Sequence, residues 1–132
     1  MSETETETTS DAPDALDTVE IGNQTIRLRA PTDIVVAWEC LALQSPIRAG
    51  AMALYLCWPD DVRGRPRVSY AKAGHNPSNF AHAIFTEWSA QVDPADLVIA
   101  GVRALSFLRL HLPTGQQIAE ARGFSRPGTK VD

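Results

Sequence analysis

Apolar and polar residues alternate from Val19 to Leu28 and then switch to a longer period for most of the remaining chain. Val19, Ile21, Ile26 and Leu28 share one register, Glu20, Thr25 and Arg27 the other, and Gly22-Asn23 divides the two runs. A period of two around a two-residue loop that can supply positive φ predicts a β-hairpin. A hairpin by itself is marginal in water, so its apolar face is expected to lie on the helices. Behind Pro31-Thr32-Asp33 the spacing becomes helical, with Ile34, Ala37, Trp38 and Leu41 on one face. Thr32 is the expected N-cap, Asp33 complements the positive end of the dipole, and the helix should end near Gln44.

The stretch from Ser45 to Pro59 is the one the others must pack around. Ser45 is placed to cap, Pro46 suits the first helical position, and Pro59 forbids continuation. Between these stops only Arg48 is charged, and apolar groups surround the helix. Such a helix is normally buried on most sides, and this one is too short to span a bilayer. It should form a helical hairpin or corner with the helix before it.

The pattern fails from Pro59 to about His75. Asp60-Asp61 signals a turn, Arg63-Gly64-Arg65-Pro66-Arg67 is basic and rich in breakers, and Val68-Ser69-Tyr70 has the composition of a brief strand. Helical spacing resumes at Asn76-Pro77, with Phe80, Ile84 and Trp88 four apart, flanked by Ala81 and Phe85. Asp93-Pro94 repeats the device and opens a helix to about Leu110, stopped by Pro113. Its apolar face is Leu97, Ala100, Gly101, Ala104, Leu105 and Leu108. The small residues on that face would let the core helix approach closely through its own Ala49, Gly50 and Ala53. Thr114-Gly115-Gln116-Gln117 reads as a capping box for a short fifth helix ending near Arg122, with Gly123 beyond it. No repeat at solenoid spacing is present.

These elements predict a mainly α fold, a compact bundle of about five helices with a small N-terminal β-hairpin. The boundaries are a disordered acidic arm at 1–17, a single domain at 18–124 and a polar tail at 125–132. A chain of 132 residues suffices for one domain with a real core. The net charge of -4 conceals an asymmetry. Seven of the 16 acids fall in the first 20 residues with no Lys or Arg among them, so the rest of the chain is mildly basic. The first residues are acidic rather than basic-then-apolar, unlike a signal peptide, and a cytoplasmic location is expected. Cys40 and Cys57 sit among apolar neighbours and read as buried free thiols of a reducing compartment.

Candidate chemistry is sparse. His75, His82 and His111 are scattered and neither cysteine has a CxxC partner, so neither a metal nor another cofactor is expected. Cys40 or Cys57 could meet His82 in space, but apolar helices raise a thiol pKa, and packing is the simpler role. Asp60-Asp61 is most simply a turn, and Glu39 and Glu87 read as solvated helix positions. The glycines form neither a dinucleotide-binding nor a phosphate-loop pattern. Arg63-Gly64-Arg65-Pro66 resembles the core of the AT-hook, an extended segment that lies in the narrow minor groove of A·T-rich DNA. By that resemblance Arg63, Arg65 and Arg67 are the candidate nucleic-acid contacts, although Asp60-Asp61 has the wrong sign for a phosphate surface. The aromatic residues at helical spacing read as core. Trp58, beside Pro59 and facing the irregular stretch, is the first alternative for a surface contact to a partner, with Tyr70 and Phe124 beside it.

Two segments resemble the small tail assembly chaperones of long-tailed bacteriophages. One is Asp93-Pro94-Ala95-Asp96-Leu97-Val98-Ile99-Ala100-Gly101-Val102-Arg103-Ala104-Leu105-Ser106-Phe107-Leu108. The other is Leu112-Pro113-Thr114-Gly115-Gln116-Gln117-Ile118-Ala119-Glu120-Ala121-Arg122-Gly123-Phe124-Ser125. The plan of short β element, helical body and polar tail is similar too, and the likeness covers about half the chain. The resemblance implies a non-enzymatic role in the host cytoplasm. Such chaperones coat the tape-measure protein, keep its long helix soluble and recruit tail tube subunits, and many are also made as a longer frameshifted product. No binding residue is fixed by the resemblance. A protein partner is therefore expected, a homo-oligomer is compatible with the pattern, nucleic acid is the less favoured partner, and no membrane is involved.

Overall fold

A computed structural model describes residues 17–112. Two strands, β1 (Thr18–Ile21) and β2 (Gln24–Arg27), are followed by four helices: α1 (Ile34–Leu41), α2 (Pro46–Leu56), α3 (Pro77–Ser89) and α4 (Pro94–His111). The fold among the described residues is thus mainly helical with a small antiparallel hairpin. The fifth helix expected near 114–122, and most of the expected arm and tail, lie outside the described residues.

The hairpin pairs Val19 with Ile26 and Ile21 with Gln24. Gly22 takes φ 61° at the first position of the two-residue turn, where a II′-type hairpin needs a residue without a Cβ. Val19, Ile21, Ile26 and Leu28 are all buried, so the alternation reports the face that packs on the helices. The Arg29 amide donates to the Cys57 carbonyl at 2.9 Å, tying the exit of the hairpin to the end of α2.

Helix α2 is the centre of the bundle. Ser45 accepts from the Arg48 amide at 3.3 Å with Pro46 in the first turn. Ala49 to Leu54 are buried without a break. Its closest neighbour is α4, and the two backbones meet at glycines. A Cβ placed on Gly50 would lie 2.9 Å from the carbonyl carbon of Gly101, and one placed on Gly101 would lie 2.9 Å from that of Gly50. No side chain fits between them. Leu97, Ala100, Gly101, Ala104, Leu105 and Leu108 all face the core, as the spacing predicts.

The expected caps at Asn76 and Asp93 are present: Asn76 accepts from the Asn79 amide at 3.0 Å and Asp93 from the Ala95 amide at 2.9 Å. Helix α1 departs from expectation. Its cap is Asp33, not Thr32, because the helix starts at Ile34 and the Asp33 carboxylate reaches the Val36 amide at 3.1 Å. It ends at Leu41, and its buried face is Val36, Ala37 and Cys40, while Ile34 is 42% exposed. The rotation brings Cys40 against the start of α2, where its Sγ lies 3.2 Å from the Ala49 carbonyl oxygen. The brief strand expected at Val68-Ser69-Tyr70 does not form: the Tyr55 hydroxyl takes the Val68 carbonyl, and the Ser69 and Tyr70 carbonyls accept from the Ala73 and His75 amides in a local turn.

Candidate interaction surface

The connection between α2 and α3 is irregular but fastened along its length. Trp58, at its start, is 1% exposed; its ring lies 5.1 Å from that of Trp88 and its indole N–H donates to the Val62 carbonyl at 2.9 Å. The Tyr55 hydroxyl donates to the Val68 carbonyl at 2.9 Å. Tyr70 stands edge-on to Phe80, which stands edge-on to Tyr55, at centroid distances of 5.2 and 5.3 Å. Its hydroxyl donates to Glu39 on α1, and that hydrogen bond, with burial second, raises the phenol pKa to about 12.

Trp58 therefore belongs to the core and offers no surface to a partner: an indole that must satisfy both its apolar face and its N–H finds both within the fold. Tyr70 is half-buried, and its hydroxyl is engaged with Glu39. Glu39 is accordingly a buttress for this connection rather than a purely solvated position. Phe124 lies outside the described residues.

The three arginines do not act as a unit. Arg63 and Arg67 are exposed. Arg65 is folded back: its guanidinium carbon lies 4.9 Å from the centre of the Tyr55 ring and one of its nitrogens lies 3.8 Å from an Asp60 oxygen. The same Asp60 oxygen pairs with Arg29 at 3.0 Å. The aspartates that weigh against a phosphate surface thus have a structural use, at least for Asp60. The chain turns at Gly64 with φ 111°, so the segment is not extended as a minor-groove hook would be. Arg67 and Lys72 line a shallow groove of about 360 Å³ against α3.

Both cysteines are free, with no exposed surface, and burial pushes each thiol up to about 12. A thiol in that state is a packing group at neutral pH. Among the described residues no group of three or more His, Cys, Asp or Glu could hold a metal ion, and no helix is long and apolar enough to cross a membrane.

What the sequence reading missed is the outer surface of the bundle. Among the described residues six large aliphatic side chains are exposed: Ile34 and Val35 on α1, Ile47 on α2, and Ile99, Val102 and Leu110 on α4. On α4 the outward positions Ala95, Ile99, Val102, Ser106 and Leu110 follow spacings of four, three, four and four. From Ala95 to Ser106 that is the spacing of a helix–helix seam, and Leu110 continues it displaced to one flank. Helix α4 therefore carries two apolar faces, one against α2 and one toward solvent. The second was legible as Ile99, Val102 and Leu110 but was overshadowed by the stronger small-residue face.

No family model, curated protein or solved structure matches this chain.

Proposed function

We propose that this protein is a non-enzymatic protein-interaction factor, of the kind that chaperones a long helical partner such as the tape-measure protein during phage-type tail assembly. The observation that carries the reading is the outward seam of α4, where Ile99, Val102 and Leu110 are each more than half exposed on a helix whose opposite face is already packed. An amphipathic partner helix buries such a seam by the same side-chain interlocking that packs helices within a domain. The resemblance of 93–108 to tail assembly chaperones falls on this helix and supplies the choice of partner. Arg103 and Arg109 stand on the same outward surface, which suits a partner helix with acidic flanks.

The test is co-expression with a phage tape-measure protein, followed by purification through a tag on the tape measure. Co-purification that falls at least about tenfold in a Val102→Glu, Leu110→Glu variant supports the reading, since a charge at each exposed seam position opposes burial there. No co-purification, or co-purification indifferent to both changes, overturns it.

The runner-up reading, contact with A·T-rich DNA, draws on the exposure of Arg63 and Arg67. It has less support because Arg65 is committed to Tyr55 and Asp60. Salt-sensitive duplex binding lost on Arg63→Ala plus Arg67→Ala would favour it over the chaperone reading.

A further inference from the structure

We infer that the outward seam of α4 also joins two copies of this chain, as an antiparallel helix pair about a two-fold axis between Ile99 and Val102. This goes beyond the chaperone reading and does not depend on it.

The centre of the seam is self-complementary. A two-fold contact must present the same patch twice, so each residue needs its complement elsewhere on that patch. Written as a heptad, Ile99 takes position a, Ala95 and Val102 take d, and Asp96 and Arg103 take e. Antiparallel helices place a positions opposite d positions and bring e flanks together. One register pairs the centre of the seam, where the two helices overlap from Pro94 to Phe107, while Leu110 falls beyond the start of the second copy's α4. Ile99 meets Val102 of the second copy, Val102 meets its Ile99, and Ala95 meets its Ser106. In the same register Asp96 falls beside the second copy's Arg103 and Arg103 beside its Asp96. Two opposite-charge pairs thus form by symmetry. A parallel pair would instead set Asp96 level with Asp96 and Arg103 level with Arg103. The antiparallel arrangement also opposes the two helix dipoles.

The surroundings agree. The Arg103 Nε donates to the Thr18 carbonyl at 3.2 Å, which holds this side chain at the edge of the seam. Between the hairpin and α4 lies an open groove of about 290 Å³ lined by Thr18, Glu20, Thr25, Ile99 and Arg103. Its Glu20 adds a second acid on the flank that receives the other copy's Arg103. A seam of so few residues is expected to bury less than the roughly 800 Å² per partner of a standard interface, so a concentration-dependent dimer is expected rather than an obligate one.

Sedimentation velocity of the full chain from about 5 to 200 µM reads the equilibrium directly, with dimer growing across that range. Ile99→Glu is expected to leave a folded monomer throughout. Asp96→Arg and Arg103→Asp should each weaken dimerisation about tenfold, and the double exchange should restore it. Because Arg103 also holds β1, circular dichroism accompanies each variant, and Asp96→Arg alone suffices if Arg103→Asp unfolds. Mild oxidation of Ile99→Cys mixed with Val102→Cys should yield a cross-linked dimer faster than either variant alone, since Cys40 and Cys57 are buried. A chain that stays monomeric at the highest concentration overturns the inference. So does a dimer indifferent to Ile99→Glu, or cross-linking no faster in the mixture. A monomer that still captures a tape-measure protein would sink this inference and leave the chaperone reading standing.

Discussion

An alanine at Gly101 has two opposing effects, and the structure says which is larger. Alanine is favoured over glycine inside a helix by about 1 kcal/mol, so the substitution would stabilise an unconstrained α4. Here the new Cβ would lie 2.9 Å from the carbonyl carbon of Gly50 and 3.1 Å from its oxygen. Both atoms are backbone, so no rotamer change relieves the clash and the two helices must move apart. Overpacking of this kind costs roughly 1–3 kcal/mol, and separating α2 from α4 also loosens the buried contacts on either side. The net expectation is a destabilisation of about 1–2 kcal/mol, or roughly 5–15 °C in Tm for a domain of this size. Gly50→Ala should behave alike, because the contact is reciprocal. The double variant should cost less than the two singles added, since one separation accommodates both methyls. Ser106→Ala, outward on the same helix, isolates propensity and should stabilise by a few tenths of a kcal/mol. Urea and thermal unfolding of the four variants measure these differences. A Gly101→Ala protein more stable than its parent would refute the close approach of α2 and α4.

Three other outcomes follow from named contacts. Stability should fall as pH rises above about 9, because unfolded thiols lose protons there while Cys40 and Cys57 in the folded state keep theirs up to about 12. The loss reaches on the order of 1 kcal/mol per thiol at about pH 10, and the gap between urea midpoints at about pH 8 and 10 should shrink in Cys40→Ala plus Cys57→Ala, leaving the smaller share from Tyr70. Trp58→Ala should cost about 3–5 kcal/mol, since it empties the space beside Trp88 and strands the Val62 carbonyl; an exposed tryptophan would cost far less, and chemical denaturation distinguishes them. Asn76→Ala should cost about 1 kcal/mol by freeing the Asn79 amide, whereas Thr32→Ala should cost less than Asp33→Ala because Asp33 makes the cap.

Much of this fold can be read from local chemistry. The hairpin follows from strict alternation around a glycine turn, and α2, α3 and α4 follow from a capping side chain with proline in the first turn. These signals work because they involve residues within four positions of one another, where the backbone geometry is already known. Even the meeting of Gly50 with Gly101 could be anticipated, since two small-residue faces in one short chain have few other places to go. The rest was decided in three dimensions. Helix α1 has only two turns, too few for its own periodicity to choose a face, so docking of Cys40 against the start of α2 set its rotation. Residues 59–75 carry no period, and their path is set by groups outside the segment: the Tyr55 hydroxyl on the Val68 carbonyl, the Trp58 indole on the Val62 carbonyl, and Arg29 on Asp60. The outward seam of α4 is written in the sequence as well, but a helix with two apolar faces does not reveal which one the domain will use. Only packing shows that α2 takes the glycine face and leaves Ile99, Val102 and Leu110 in water, because backbones approach closely where side chains are absent.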